Sequence, residues 1–320
     1  MKICAACHRD LPKESYSKKQ WKLDKRRCKV CTSDNREVQS IPKKQDNNDQ
    51  NTNEITNKLD AMYLKVFDKK INDEELFKQP PPLHGDCPIC FLQLPTLKSG
   101  RRYMTCCRKV ICGGCYHAPV YDSHGNKVDI DKQNECPFCR TPAPRTEKQM
   151  IERDKKRMEA NDVNAMFNLG CYYRDGAYGF KQDYTKALEL WHKAAELGYP
   201  LAYNGIGYAY QFGRGVEIDK KKAARYYELA AMGGDARARY NLGFDEECKG
   251  NEDRALKHHM IAARSGLSES LKRIQVMYSD GHATKEDYTK ALKSYQTHLV
   301  EIKSSQRDEA AAADEKYRYY

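Results

Sequence analysis

The spacing of the cysteines constrains this chain more than any other feature of its sequence. Eight of the 14 cysteines fall between residues 87 and 139 in four close pairs, namely Cys87 and Cys90, Cys106 and Cys107, Cys112 and Cys115, and Cys136 and Cys139. Eight thiols in four pairs are the number that two tetrahedral zinc sites require, and a two-residue gap lets a tight turn aim both sulfurs at one ion. A segment with so few large apolar residues needs the free energy of metal binding to fold. We therefore predict two zinc ions here.

The alternative interpretations of these cysteines are free core thiols and disulfides. Chance rarely produces three Cys-x-x-Cys pairs in one short segment. The opening sequence MKICAACHRDLPK has too few apolar residues for a secretory signal, and the chain has no apolar run long enough to span a membrane. We therefore expect a location in the cytoplasm, the nucleus or both. In those reducing compartments clustered cysteines are more often metal ligands than disulfides.

A further four-cysteine set lies at the N-terminus, in a module that we assign to residues 1–36. Its expected ligands are Cys4, Cys7, Cys28 and Cys31, which brings the expected total to about three zinc ions. The spacing resembles that of the small zinc module of heterochromatin-linker proteins, and also that of the zinc knuckle beside some HNH-type nucleases. The sequence that follows lacks the HNH catalytic histidines, so the resemblance implies binding rather than cleavage.

The N-terminal module is strongly basic. Residues 1–44 hold 13 Lys/Arg against 5 Asp/Glu, and the whole chain carries a net charge of +11. Tyr16 and Trp21 lie among the lysines, and such a mixture can stack bases and neutralise phosphates, which makes nucleic acid a candidate partner. The alternative is that the two aromatic residues form the core of a very small domain and the lysines face solvent.

Two connecting segments separate the modules, and a tail follows the last one. Residues 37–86 are polar and end in QPPPLHGD, so we expect a mostly disordered linker. Within it we predict one amphipathic helix, because apolar residues recur at helical spacing. These residues are Leu59, Met62, Tyr63, Val66 and Phe67. We also expect a connecting helix over residues 146–161 and a charged tail over residues 304–320.

Residues 162–303 repeat themselves. The pairs Ala194-Ala195, Ala230-Ala231 and Ala262-Ala263 recur at steps of 36 and 32 residues, and Gly170, Gly207 and Gly243 recur at steps of 37 and 36. A period of this length predicts helical hairpins that stack into a solenoid. We expect each recurring glycine to let the two helices of a hairpin approach closely, against the paired alanines. A second set, Gly198, Gly234 and Gly266, is expected to end helices.

The repeats resemble the Sel-one-like repeat family in their A-x-x-x-L-G-x-x-Y-x-x-G, D-x-x-K-A and A-A-x-x-G motifs. In the first unit the matching residues are Ala165, Leu169, Gly170, Tyr173, Gly176, Asp183, Lys186, Ala187, Ala194, Ala195 and Gly198. The resemblance implies a scaffold that holds a protein substrate or partner on its concave face. The fourth unit lacks the helix glycine and is interpreted as a terminal cap.

The central cysteine pattern resembles that of a RING finger, which we assign to residues 87–145. The resemblance implies that the first and third pairs share one zinc ion, and that the second and fourth pairs share the other. The first site would then contain Cys87, Cys90, Cys112 and Cys115, and the second Cys106, Cys107, Cys136 and Cys139. A RING finger usually has a histidine in its second pair, where this chain has Lys109. His117 is therefore a reserve ligand that would replace Cys106 or Cys107.

RING fingers of ubiquitin ligases bind a ubiquitin-conjugating enzyme and orient its ubiquitin thioester, which is catalysis by positioning. The resemblance implies that Ile89, Pro137 and Phe138 form the apolar platform for that enzyme. It also implies that Arg140 bridges the enzyme and ubiquitin with its forked guanidinium donors. The alternative is that these four residues only pack the zinc loops.

The sequence therefore predicts small zinc-stabilised modules, one with a RING-like cross-brace, followed by an all-α helical-repeat solenoid. The whole arrangement resembles a RING-plus-repeat family that is common in diatoms. The function that this favours is that of a RING-type ubiquitin ligase whose repeats hold a substrate. A non-enzymatic adaptor and a nucleic-acid-binding regulator are the alternatives.

Overall fold

A computed structural model of the chain describes residues 2–3, 10–11, 71–118 and 135–320. The chain divides into two compact units, residues 1–50 and residues 51–320. In the first unit, β1 (Lys2–Ile3) pairs antiparallel with β2 (Asp10–Leu11). The residues that we assigned to the N-terminal zinc site and to the linker helix lie outside the described residues. They are Cys4, Cys7, Tyr16, Trp21, Cys28, Cys31, Leu59, Met62, Tyr63, Val66 and Phe67.

Most of the described residues of the second unit are helical. In chain order the helices are α1 (Asp73–Phe77), α2 (Gly113–His117), α3 (Glu147–Glu159), α4 (Val163–Asp175), α5 (Tyr184–Glu196), α6 (Pro200–Phe212), α7 (Lys220–Met232), α8 (Ala236–Lys249), α9 (Glu252–Arg264), α10 (Ser268–Ser279), α11 (Lys285–Ile302) and α12 (Ser305–Ala313). The antiparallel strands β3 (Arg101–Met104) and β4 (Lys109–Cys112) precede α2. Helices α4 to α9 form three hairpins, and each hairpin packs on the next. This arrangement is a helical repeat array.

Aspartates begin and glycines end the repeat helices. The capping carboxylates accept hydrogen bonds from first-turn N–H groups, which have no partner inside the helix. These residues are Asp162, Asp183, Asp219 and Asp235. After α5, α7 and α9 the chain turns at Gly198, Gly234 and Gly266, whose φ values are 77°, 93° and 86°. Glycine adopts this left-handed conformation without a steric penalty, so the predicted helix ends are confirmed.

The recurring glycines inside α4, α6 and α8 each face a ring of the other helix in the hairpin. The facing pairs are Gly170 with Trp191, Gly207 with Tyr227, and Gly243 with His259. A Cβ atom on Gly207 would lie 2.9 Å from two carbons of the Tyr227 ring and 3.1 Å from the carbonyl oxygen of Ala223. The glycines therefore allow a close approach of the two helices, as expected. The side chain that fills the space is an aromatic ring rather than the paired alanines.

We predict that Gly170→Ala destabilises the repeat array, although alanine is the better helix former. The added methyl group would overlap the indole of Trp191, and such overpacking of a core typically costs about 1–3 kcal/mol. Chemical denaturation followed by circular dichroism measures the change in the free energy of unfolding. A variant that is as stable as the parent, or more stable, would contradict the role of the ring.

The C-terminal end of the predicted linker and the predicted charged tail are both packed against the rest of the second unit. Residues 304–320 include α12 and bury Arg307, Tyr317 and Tyr319, of which Arg307 is only 1% exposed. Near the end of the predicted linker, α1 packs against α7 and α9. The predicted linker over residues 37–86 is therefore shortened at its C-terminal end, and the charged tail is part of the fold. In both segments the stabilising contacts come from residues that are distant in sequence.

The predicted connecting helix is α3, and a buried carboxylate fastens it to the repeat array. Asp154 is 1% exposed and accepts a hydrogen bond of 2.9 Å from the Tyr172 hydroxyl group. Its second carboxylate oxygen is buried without a hydrogen-bond partner. Burial raises the pKa of Asp154 from its usual 3.8 to about 6, because desolvation disfavours the charged form.

The raised pKa of Asp154 predicts how the stability of the protein depends on pH. Stability contributed by the protonated Asp154 is present below pH ~4 and is lost as the pH rises through about 6. Asp154→Asn keeps an oxygen for Tyr172 and removes the charge. At pH 7.5 we therefore expect the free energy of unfolding of the variant to exceed that of the parent by up to about 3 kcal/mol. Near pH 4 the two values should be equal. An equal difference at both pH values would contradict this explanation.

Candidate metal centre

The second cysteine pair lies in the turn of the β3–β4 hairpin. The backbone N–H groups of Cys107 and Arg108 both donate to the carbonyl oxygen of Met104, at 3.3 Å and 2.9 Å. Arg108 closes the turn with a φ value of 60°. The adjacent thiols of Cys106 and Cys107 therefore occupy a turn whose backbone bends sharply enough to bring both toward one point.

The first and last pairs lie in two turns of the same geometry, each with the sequence Cys-Pro-x-Cys. In the first turn, Phe91 N–H donates to the Cys87 carbonyl at 2.8 Å; in the second, Arg140 N–H donates to the Cys136 carbonyl at 2.8 Å. Phe91 and Arg140 both have a φ value of 59°. Each turn directs its two sulfurs to one side, which is the arrangement that chelation of an ion needs.

The folded chain gathers the eight cysteines into two clusters. One contains Cys87, Cys90, Cys112 and Cys115, and the other Cys106, Cys107, Cys136 and Cys139; within each cluster all sulfurs lie within 4.8 Å of one another. These are the same two sets that the sequence resemblance implies. Each cluster joins residues from two distant parts of the segment, so the two clusters interleave along the chain.

The sulfur–sulfur distances fit a tetrahedral ion. Four sulfurs about 2.3 Å from a central zinc ion lie about 3.8 Å apart. The Sγ atoms of Cys90 and Cys112 are 3.8 Å apart, those of Cys107 and Cys136 are 3.9 Å apart, and those of Cys106 and Cys139 are 3.4 Å apart. A disulfide bond needs about 2.05 Å. Both clusters can hold a metal ion without rearrangement of the chain.

In each cluster the pKa of one thiol is lowered, whereas the pKa values of others, Cys112 in the first cluster and Cys106 and Cys107 in the second, are raised. Hydrogen bonds from Cys112 and Cys115 lower the pKa of Cys87, whereas hydrogen bonds with Cys112 and Cys87 raise the pKa of Cys115. In the other cluster, the hydrogen bond between the Cys139 thiol and the Thr141 hydroxyl group lowers the pKa of Cys139 to about 6. Thiolate is the form that binds metal, so the lowered thiol of each cluster, Cys87 or Cys139, is the ligand that ionises first.

His117 does not belong to either cluster. The histidine is buried, and its ring lies edge-on to that of Tyr317 at a centroid distance of 5.4 Å. Both Cys106 and Cys107 are within reach of the other two sulfurs of their cluster, so a reserve ligand is not needed there. Lys109, at the place of the usual histidine, instead positions its ammonium 5.8 Å from the centre of the Phe138 ring.

The four residues assigned to the conjugating-enzyme platform differ in exposure. Phe138 is 42% exposed and Arg140 is exposed, whereas Ile89 and Pro137 are half-buried. Ile89 packs against the small core around the first cluster. Sequence reasoning missed Phe91, which is 78% exposed and occupies in the first turn the position of Arg140 in the second. Its signal was available, because it directly follows a Cys-Pro-x-Cys turn.

Two arginines from the helical part support the clusters, and neither was expected. Arg307 donates to the carbonyl oxygens of Ile302 at 2.6 Å and Gln93 at 2.9 Å, and its guanidinium lies 3.8 Å from the sulfur of Cys90. Arg157 donates to the carbonyl oxygens of the turn that carries the second pair. Groups that hold ligand loops in place typically raise metal affinity about 10–100-fold.

We predict that Arg307→Met makes one metal ion per chain easier to remove. The substitution keeps a long apolar side chain but withdraws the positive charge beside the thiolates and the donors to the loop carbonyls. The affinity of the first cluster for its ion should fall about tenfold, and the affinity of the second cluster should stay unchanged. A chelator titration with a metal-sensitive dye measures this. Lys303→Met is the matched control, since that side chain is 68% exposed, and an equal effect of both substitutions would contradict a specific role for Arg307.

The helical part matches a known protein family. The family model described as "Sel1 repeat" matches residues 163–199, 200–235 and 276–296. These residues are Sel1 repeats. The prediction of a helical repeat solenoid is therefore confirmed. Sel1 repeats are scaffolds for protein–protein interaction.

Two similar proteins from Arabidopsis thaliana have names that refer to ubiquitin ligation. "ERAD-associated E3 ubiquitin-protein ligase component HRD3B" is 40% identical over 88 residues, which are 27% of this chain and 13% of that protein. "E3 ubiquitin-protein ligase DA2" is 39% identical over 57 residues, which are 18% of this chain and 12% of that protein. This chain thus spans only a small part of either relative.

A solved structure of similar sequence is a Sel1 repeat protein from Oxalobacter formigenes. It is 31% identical, with a TM-score of 0.43, and the match covers 48% of this chain and 64% of that chain. Among the described residues, the helices are too short or too polar to cross a membrane.

Proposed function

We propose that this protein is a RING-type ubiquitin ligase subunit whose Sel1 repeats hold a substrate or partner. The observation that supports this best is the interleaving of the two cysteine clusters, with the first and third pairs in one and the second and fourth in the other. That connectivity is the one the RING resemblance implies. The all-thiol donor set and the tetrahedral spacing favour zinc as the ion.

In this proposal the metal has a structural role and the chain performs no covalent chemistry. The ions fix the two Cys-Pro-x-Cys turns, and the turns present Phe138, Arg140 and Phe91 to solvent. Exposed apolar side chains on a rigid loop supply contact area for a conjugating enzyme at a low entropic cost. The guanidinium of the exposed Arg140 can donate two parallel hydrogen bonds to carbonyl groups of a bound conjugating enzyme and ubiquitin.

A non-enzymatic adaptor is the second candidate function. Ile89, the first residue of the proposed platform, packs inward against the core of the first cluster, which favours a role in stabilising the loop. The name of one relative describes a component of a ligase complex, and a scaffold that brings a partner to a separate ligase would need no platform of its own.

Autoubiquitination assays with a panel of conjugating enzymes separate the two functions. We predict activity for the full chain and a loss of at least about tenfold for Phe138→Ala combined with Arg140→Ala, because the pair removes both an apolar anchor and a bridging donor. Ile218→Ala, which alters a repeat side chain that is 55% exposed, is the control and should keep full activity. Absence of activity with every conjugating enzyme, from a chain that retains its metal ions, would favour the adaptor.

We also propose that the N-terminal module holds a third zinc ion and contacts nucleic acid, and that the protein works in the cytoplasm or nucleus. The support is the four-cysteine spacing and the basic charge of residues 1–44. Titration of the full chain with nucleic acid should show affinity that falls steeply as salt increases. No binding at low salt would exclude the phosphate contacts.

A further inference from the structure

A short segment of the chain lies in a groove of the repeat array between α7 and α9. The segment comprises α1 and the extended residues that follow it, and we name it the strap (residues 71–84). Its helix packs against both α7 and α9, with Leu76 only 3% exposed. Helix α1 has five residues, too few for a helix to be stable by itself, so the groove supplies its stability.

The groove recognises the strap mainly through charge and one aromatic ring. Asp73 forms an ion pair with Arg254. The ring of Phe77 lies 4.7 Å from the ring of His258, and the cations of Arg254 and Lys257 lie 5.2 Å and 5.5 Å from its centre. An acidic first turn followed by an aromatic residue therefore matches a cationic groove with an imidazole floor.

After α1, the backbone of the strap contacts the repeat array at Gly234. The carbonyl oxygen of Pro81 passes so close to Gly234 that a Cβ atom there would overlap it. Gly234 ends α7 and is also one of the recurring repeat glycines, so the repeat geometry itself creates the gap. The chain leaves α1 in an extended conformation at Lys78, and the prolines that follow have a fixed φ and so lose little entropy on ordering.

The strap fits the groove incompletely at Arg239. This arginine is 1% exposed, yet its Nε and Nη1 atoms are buried without a hydrogen-bond partner. Its Nη2 atom makes only a long contact of 3.5 Å to the carbonyl oxygen of Lys78. Within residues 71–118 and 135–320, the structure shows no carboxylate paired with it. A buried guanidinium without a counter-charge is unfavourable, so the groove has an unmet requirement for an anionic group.

We propose that the groove between α7 and α9 is the peptide-binding site of the repeat array, and that the strap occupies it as a weak internal substitute for a partner. The partner is a protein segment with an acidic helical turn that ends in Leu-aromatic and brings an anionic group to Arg239. This inference rests on the proposed role of the repeats as a scaffold for a partner. Displacement of the strap by such a segment links partner binding to the chain that leads into the cysteine module.

Labelled peptides test the site in the full-length protein. The probe is a synthetic peptide of residues 71–84, and its binding is followed by fluorescence anisotropy. The strap of the parent protein competes at a high effective concentration. Phe77→Ala in the protein should therefore increase the affinity for the peptide at least about tenfold. If the weakened strap does not let the peptide bind better, the site is refuted.

A charge reversal gives a second variant that does not alter the core. Arg254→Asp in the protein releases its own Asp73 and should bind a peptide carrying Asp73→Lys about tenfold better than the native peptide. The parent protein should show the opposite preference. The same preference in both proteins would overturn the assignment of Arg254.

The unmet charge of Arg239 has its own test. A peptide of residues 71–78 with a free C-terminal carboxylate places an anionic oxygen where the Lys78 carbonyl lies, and its C-terminal amide does not. In the Phe77→Ala protein we expect the acid to bind about tenfold better than the amide, and Arg239→Gln to abolish the difference. Equal binding of acid and amide would exclude an anionic ligand at Arg239. Because these assays contain neither ubiquitin nor a conjugating enzyme, their failure is distinct from a failure of ligase activity.

Discussion

The cysteine module depends on one constraint, which is that the four cysteine sulfurs of each cluster are held around a single metal-binding point. Its core contains few large apolar side chains, with Leu94 and Ile111 buried among cysteines. Burial on this scale does not offset the entropy of ordering the hairpin and two turns. Metal–thiolate bonds would supply that free energy, since in small domains of this type metal binding and folding are one equilibrium. The exposed Phe138 and Arg140 are held in place only if this equilibrium favours the bound form.

The repeat array depends on a different interaction and lends rigidity to the cysteine module. Each hairpin closes on an aromatic or imidazole ring that fills the space left by a glycine, as Trp191 does opposite Gly170. The cysteine module is attached to this array by a hydrogen bond of 2.6 Å, which Tyr103 of β3 donates to Asp162, the residue that caps α4. Arg307 reaches the loop of the first cluster from the other end of the array. The two parts of the second unit therefore stabilise one another through polar contacts to the loops and caps.

Sequence reasoning predicted the features that depend on local spacing. The cysteine pairs, the helix-ending Gly198 and Gly234 and the overall helical repeats all follow from short-range geometry. It failed where a partner is distant in sequence. Arg307 lies in SSQRDEAAAADEK, a stretch that is typical of a solvated tail, and its partner Gln93 is more than 200 residues away. The strap was likewise predicted to be part of the linker. Its acidic, proline-rich sequence does not indicate the cationic groove that binds it, because the residues of that groove are distant in sequence.

Removal of the metal from the intact chain tests the dependence of the fold on thiolate coordination most directly. Native mass spectrometry counts the ions before and after chelation, and hydrogen exchange reports the protection of β3 and β4. We expect two ions to be assigned to residues 87–139, and their removal to abolish protection in both strands while α6 and α7 remain protected. A metal-free chain that keeps β3 and β4 protected and unfolds cooperatively would contradict a metal-dependent module.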